Sequence, residues 1–87
     1  KIGNFVRINV AANIMHDCEI NDFCTIAPNS VILGDVEIKQ YAYIGANSTI
    51  LPHKKIYEKA VVGAASVVTK NVSENIIVIG NPAKIKN

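Results

Sequence analysis

An isoleucine or valine stands at every sixth position through most of the chain: Ile2, Ile8, Ile14, Ile20, Ile26, Ile32, Ile38, Ile44, Ile50, Ile56, Val62 and Val68. Four places after each, a small or β-branched residue usually recurs: Val6, Ala12, Cys18, Cys24, Ser30, Val36, Ala42, Ser48, then Ala60, Ser66 and Val72. Lys54 is the one clear break in that second series. So many consecutive hexads at a fixed short period mark a β-solenoid. The period fits neither a 3.6-residue helix nor plain alternation along a strand. It fits a coil of short flat segments, each turning one large residue (first place of the hexad) and one small residue (fifth place) inward. The chain is predicted to be all-β.

If three hexads close a triangle, one coil takes 18 residues, and the array holds about four coils stacked at roughly 4.8 Å. Residues 18 apart then lie over one another. Ile2, Ile20, Ile38 and Ile56 form one inward column, Ile8, Ile26, Ile44 and Val62 a second, and Ile14, Ile32, Ile50 and Val68 a third. Residues 1–73 read as the repeat array. Residues 74–87 leave the period and read as a tail covering the last coil's open edge, which repeat proteins need. The first residues already sit in repeat phase, and an uncapped coil invites association through its unpaired backbone groups. The expectation is one domain of a longer protein, an oligomer, or both. The general rule for parallel crossovers would make the coil right-handed.

Composition narrows the picture modestly. Hydrophobic residues make up 49% of the 87, yet they are dispersed at fixed spacing, so no transmembrane helix is predicted. A net charge of +2 is too small to suggest nucleic acid. Residues 1–43 carry three basic and five acidic side chains, and residues 44–87 six basic and two acidic, so the C-terminal half could favour an anionic ligand. Cys18 and Cys24 both occupy the small inward place and read as buried free thiols. Nothing demands an oxidising compartment, which makes cytoplasm the expected location.

His16 and Asp17 occupy the third and fourth places of their hexad, near a coil corner and at the surface. Imidazole is the side chain that exchanges a proton near neutral pH. The residue stacked on His16 is Gly34, where a ligand can approach the backbone and the N–H can meet a developing oxyanion. On another corner Gly45 stacks under Gly63, and Ala46 under Ala64. This column of minimal side chains suits a long thin ligand. The two histidines, His16 and His53, are two coils plus one residue apart and do not stack, so a zinc site, which needs three or four ligands, is not expected.

Several segments carry a family resemblance: Ile14-Met15-His16-Asp17-Cys18-Glu19-Ile20, Ile44-Gly45-Ala46-Asn47-Ser48-Thr49, Val62-Gly63-Ala64-Ala65-Ser66-Val67-Val68 and Gly80-Asn81-Pro82-Ala83-Lys84. The chain resembles the hexapeptide-repeat acyltransferases, and within them the sialic-acid O-acetyltransferases and UDP-amino-sugar N-acetyltransferases. The resemblance implies a left-handed parallel β-helix, an exception to the crossover rule, assembled as a homotrimer. It implies acetyl-CoA as co-substrate, no metal, and a sugar or sugar-nucleotide acceptor, with O- or N-transfer left open. It makes His16 the general base, with Asp17 orienting it, and places acetyl-CoA at Gly34. The pantetheine arm is expected along Gly45, Ala46, Gly63 and Ala64, closed by the tail at Pro82, with Lys84 near the CoA phosphates. Asn9 falls on the acceptor side. Thr25 stands where many relatives carry a second histidine that bonds the acetyl carbonyl, and Asn21 where the hexad usually has glycine. Two readings compete. One is a non-catalytic trimerisation or regulatory β-helix of a larger sugar-metabolism enzyme. The other is a transferase that takes its acyl group from an acyl carrier protein.

Overall fold

Each hexad folds into one two-residue strand and one corner. The computed structural model describes residues 1–86. Its first eleven strands are Arg7–Ile8 (β1), Asn13–Ile14 (β2), Glu19–Ile20 (β3), Thr25–Ile26 (β4), Val31–Ile32 (β5), Glu37–Ile38 (β6), Tyr43–Ile44 (β7), Thr49–Ile50 (β8), Lys55–Ile56 (β9), Val61–Val62 (β10) and Val67–Val68 (β11). Two longer strands follow, Ile77–Gly80 (β12) and Ala83–Ile85 (β13). Every third strand pairs in parallel, so the chain winds through three sheets. Sheet 1 holds β3, β6 and β9; sheet 2 holds β1, β4, β7, β10, β12 and β13; sheet 3 holds β2, β5, β8 and β11. Paired residues are 18 apart, as in Arg7 with Thr25 and Ile38 with Ile56. The result is a left-handed parallel β-helix of about four triangular coils.

The first-place residues fill the prism. Ile20, Ile26, Ile32, Ile38, Ile44, Ile50 and Ile56 are fully buried. Ile2 and Ile8 are about half exposed, because no coil among the described residues lies beneath them. The fifth-place residues do more than fit. Ser30 Oγ donates to the Gly45 carbonyl at 2.8 Å and Ser48 Oγ to the Gly63 carbonyl at 2.9 Å. Cys18 and Cys24 Sγ do the same to Leu33 and Lys39 carbonyls. A small polar side chain there satisfies a corner carbonyl of the next coil that would otherwise be buried unpaired. Both cysteines are free and buried, and burial pushes the Cys24 thiol up from its ordinary value.

Every corner turns at its fourth place through a left-handed residue, from Phe5 (φ 56°) through Asp17 (59°), Asp35 (58°) and His53 (64°) to Ala65 (59°). For a residue with a Cβ this conformation costs about 1–2 kcal/mol. The turn aims the fourth-place N–H at the carbonyl of the coil before: Asp35 N–H donates to His16 C=O and His53 N–H to Gly34 C=O, each at 3.0 Å. The coil therefore hydrogen-bonds at its corners as well as along its strands.

Beyond Val68 the period slips by two residues rather than ending. Val72 bridges Ile56, and β12 pairs in parallel with β10 (Val61 with Ile77), both sixteen residues apart. Val78 thereby enters the core, 6% exposed. β13 then folds back antiparallel on β12 through Asn81-Pro82, whose peptide bond is cis. The last segment continues sheet 2 before the hairpin closes it.

Because the inward columns carry the fold, truncating one central isoleucine should be costly. Ile38, between Ile20 and Ile56, is fully buried. Ile38→Ala is expected to lower stability by about 2–5 kcal/mol, measured by chemical denaturation.

Candidate active site

The three edges of the prism differ in chemistry. The edge from sheet 3 to sheet 1 carries residues 15–18, 33–36 and 51–54, and with them both histidines. On it the third places stack as His16, Gly34 and Pro52, and the fourth places as Asp17, Asp35 and His53. His16 Nδ1 lies 3.2 Å from Asp17 Oδ2. A carboxylate only accepts hydrogen bonds, so Nδ1–H donates to it, which in the neutral ring leaves the lone pair on Nε2. The imidazole lies over Gly34: a methyl group there would sit 2.6 Å from both Cε1 and Nε2. Gly34 N–H has no protein acceptor among the described residues. The side chains of His16 and Asp17 are 79% and 83% exposed. A polar pair so exposed contributes about 0–1 kcal/mol to stability. Folding does not account for it.

The expectation that glycine leaves a space over His16 takes a definite form here. The imidazole itself occupies that space, held against the backbone by the absence of a side chain at Gly34. The ring thus stands against a glycine whose N–H has no protein acceptor among the described residues.

The edge from sheet 2 to sheet 3 carries residues 9–12, 27–30, 45–48 and 63–66. It brings Asn9 into the same column as Gly45 and Gly63, with Ala46 and Ala64 alongside. A methyl group at Gly45 would lie 2.7 Å from Ala64 N and Val62 O, and one at Gly63 3.0 Å from the Ile79 side chain. These two glycines are thus used by the stacking itself. Ala46 and Ala64 stay half-buried and exposed, and their N–H groups have no protein acceptor among the described residues. Asn9 Nδ2 donates to the Ile26 carbonyl at 3.2 Å. Thr25 is on the outer face of sheet 2, between Arg7 and Tyr43. Pro82 is in the β12–β13 turn, and Lys84 on β13 lines a groove at the C-terminal end with Lys70 and Asn71. One protomer therefore unites His16, Asp17 and Gly34, but keeps them on a different edge from Ala46, Ala64 and Asn9 and on a different side from Thr25.

Three features went unread in the sequence. Asp35 and His53 form a second exposed pair, Nδ1 to Oδ2 2.9 Å, one coil above Asp17. Lys70 lines the C-terminal groove together with Lys84. On the third edge, from sheet 1 to sheet 2, Phe5, Phe23 and Tyr41 stack as a ladder of exposed rings, with centroids 5.3 and 4.9 Å apart and planes within 8°. The first and third follow from the 18-residue spacing once it is applied to fourth places as well as to third ones; the second follows from the slip after Val68. Asp17, Asp35 and His53 are one such series; Phe5, Phe23 and Tyr41 are another.

The outer faces divide by charge. Sheet 1 shows Glu19, Glu37 and Lys55, with Lys39 paired to Glu37 at 2.6 Å. Sheet 3 shows Asn13, Val31, Thr49 and Val67, flanked by Met15, Leu33 and Leu51, and has no charged side chain. Sheet 2 shows Arg7, Thr25, Tyr43, Val61 and Ile77, with Arg7 and, on β13, Lys84 as its charges.

Solved structures of similar shape include acetyltransferases. A histidine mutant of perosamine N-acetyltransferase from Caulobacter crescentus, in complex with CoA and GDP-perosamine, matches with a TM-score of 0.95 and 32% identity over 99% of this chain and 41% of that one. The acetyltransferase domain of PglB from Neisseria gonorrhoeae FA1090, in complex with acetyl coenzyme A, matches with a TM-score of 0.94 and 25% identity over 98% of this chain and 44% of that one. A maltose O-acetyltransferase from Clostridium difficile 630 gives a TM-score of 0.92 and 27% identity over 98% and 56%. The chain thus spans about two fifths of the perosamine N-acetyltransferase chain. No curated protein sequence matches it. The bacterial transferase hexapeptide (six repeats) profile matches residues 1–34 and 20–52, more than half of the chain. With the hexads seen as coils and more than half of them matched, the chain belongs to the bacterial transferase hexapeptide family.

Proposed function

We propose that this chain is the acetyl-CoA-dependent acetyltransferase domain of an enzyme that acylates an amine or hydroxyl of a sugar or sugar nucleotide. The observation that carries the reading is the exposed His16–Asp17 pair packed over Gly34, whose N–H has no protein acceptor among the described residues. His16 Nε2 takes the proton of the acceptor amine or hydroxyl as that group attacks the thioester carbonyl. General-base help of this kind is worth about 10²–10⁴-fold. Gly34 N–H donates to the carbonyl oxygen as it becomes an oxyanion. The tetrahedral intermediate then collapses, the C–S bond breaks, and the imidazolium returns its proton to the departing thiolate. Asp17 holds the ring in the Nδ1–H tautomer throughout.

The rest of the site comes from a second copy. Setting the histidine edge of one copy against sheet 2 of the next brings His16 and Gly34 to Thr25, whose hydroxyl can donate to the acetyl oxygen. It also brings them to Ala46 and Ala64, whose free N–H groups suit the amides of a pantetheine arm. Such a contact joins unlike surfaces and closes as a ring when repeated around a threefold axis. The charge-free sheet 3 and the nearly uncharged sheet 2 are the faces such a ring would bury, with charged sheet 1 left in water. Lys84 and Lys70 then meet the CoA phosphates at the C-terminal end. Sedimentation or light scattering is expected to give a homotrimer; a stable monomer at working concentration counts against the shared site.

Acetyl-CoA should raise the melting temperature. A ligand that binds only the folded state adds about 2.7 kcal/mol at one hundred times its Kd. A purely structural trimerisation module gives no shift, and an acyl-carrier-dependent transferase responds to the acylated carrier protein instead.

A further inference from the structure

The histidine edge carries a second pair that the acetyl-transfer chemistry does not use. His53 Nδ1 lies 2.9 Å from Asp35 Oδ2, one coil above Asp17. Their side chains are 74% and 63% exposed, so the pair adds little to folding. Asp17, Asp35 and His53 hold successive fourth places and share one left-handed backbone, with φ of 59°, 58° and 64°. Their side chains therefore leave the edge in the same direction, at roughly the 4.8 Å coil spacing. The His16 ring is displaced from its own coil toward the coil of Asp35. It rests over Gly34, where a methyl group would sit 2.6 Å from Nε2 but 3.3 Å from Nδ1. Asp35 follows that glycine directly, and its N–H donates to the His16 carbonyl at 3.0 Å. Two carboxylates thus border one imidazole, Asp17 on the Nδ1 side and Asp35 beside the glycine under Nε2. Among the described residues the His16 side chain bonds only Asp17, and the Asp35 carboxylate only His53.

A general base must be neutral to take a proton. A carboxylate within a few ångströms of an imidazole favours its protonated form. One carboxylate at Nδ1 fixes the useful tautomer; a second one close to Nε2 would keep the ring charged. We propose that His53 is a positioning residue, which holds the Asp35 carboxylate away from His16 so that Asp17 alone governs the base. The proposal rests on the reading of His16 as that base. The other charged groups around this edge are Glu19 and Glu37 on sheet 1, Lys54 and Lys55 after His53, and Lys70 at the C-terminal end. Glu37 is paired with Lys39. Sheet 3 adds no charge, and sheet 2 of a neighbouring copy would add Arg7 and Lys84. Among the described residues none of these pairs with Asp35.

His16 and His53 are the two histidines of the chain. Long-range ¹H–¹⁵N spectra of the imidazoles therefore follow each ring through a pH titration, with neither acceptor nor acetyl-CoA present. The variants are His53→Ala, Asp35→Asn and the two combined. Alanine already stands in this left-handed place at Ala11 and Ala65, and asparagine at Asn29, Asn47 and Asn75, so all three should keep the parent's melting temperature. His53→Ala is expected to raise the midpoint of the His16 titration by about half a unit to one unit. Adding Asp35→Asn should return it to the parent position. Acetyl transfer should follow: below the midpoint, kcat/KM falls about three- to tenfold in His53→Ala, and the double variant recovers it. Well above the midpoint, where the ring is neutral in every protein, the three rates should agree. A His16 midpoint that His53→Ala leaves in place overturns the proposal, and so does a shift that persists in the double variant. A change of oligomeric state in His53→Ala overturns it as well, since the pair would then be a subunit contact. In each of these cases loss of transfer in His16→Ala leaves the base reading standing. Transfer retained in His16→Ala removes that reading, and this proposal with it.

Discussion

His16→Ala is expected to lower kcat by about 10²-fold or more, with acetyl-CoA affinity nearly unchanged. A group that takes its proton during attack acts in the transition state far more than in the ground state, so its loss falls on kcat. The measurement is steady-state acetyl transfer to a sugar-nucleotide amine or hydroxyl, with acetyl-CoA binding followed separately by calorimetry. Two companion variants resolve the parts. Asp17→Asn should cost less than His16→Ala, because the imidazole remains and only its tautomer and orientation suffer. Gly34→Ala keeps every catalytic side chain, yet puts a methyl group 2.6 Å from Cε1 and Nε2, so the ring must move. It should approach the His16→Ala rate with little loss of stability, since the exposed ring can swing into water. Near-normal turnover in His16→Ala would return the chain to a structural role.

Ala64→Trp is expected to abolish detectable CoA binding while leaving the melting temperature of the unliganded protein unchanged. Ala64 is exposed and outside the left-handed series, so an indole there meets no backbone constraint and no core. It would fill the space the pantetheine arm needs and cover the free N–H beside it. Gly45→Ala is the contrasting control. Its methyl group would meet backbone at 2.7 Å, on Ala64 N and Val62 O, and backbone cannot rotate away. That variant should lose stability first and CoA affinity only as a consequence. Unchanged CoA affinity in Ala64→Trp would move the arm elsewhere, the histidine edge toward Lys70 being the next place to look.

The contrast between Ala64 and Gly45 shows what kind of information each level holds. Hexad spacing alone settled the coil, the inward columns, the buried cysteines and the stacking of Gly34 on His16, because a strict period leaves one register in which every large apolar residue is enclosed. The identity of the chemical pair, His16 with Asp17, was also legible, since adjacency along a chain survives folding. What small residues are for was not. At Gly45 the missing side chain is occupied by the next coil, at Gly34 by an imidazole, and at Gly63 by Ile79, a residue that reaches its place only because the period slips by two after Val68. Distances of a few tenths of an ångström separate those cases, and no one-dimensional pattern contains them. The distribution of the predicted site over different edges was equally a decision of the tertiary structure. A triangular coil turns each successive hexad to a new face, so His16, Thr25 and Ala64 point in different directions within one protomer.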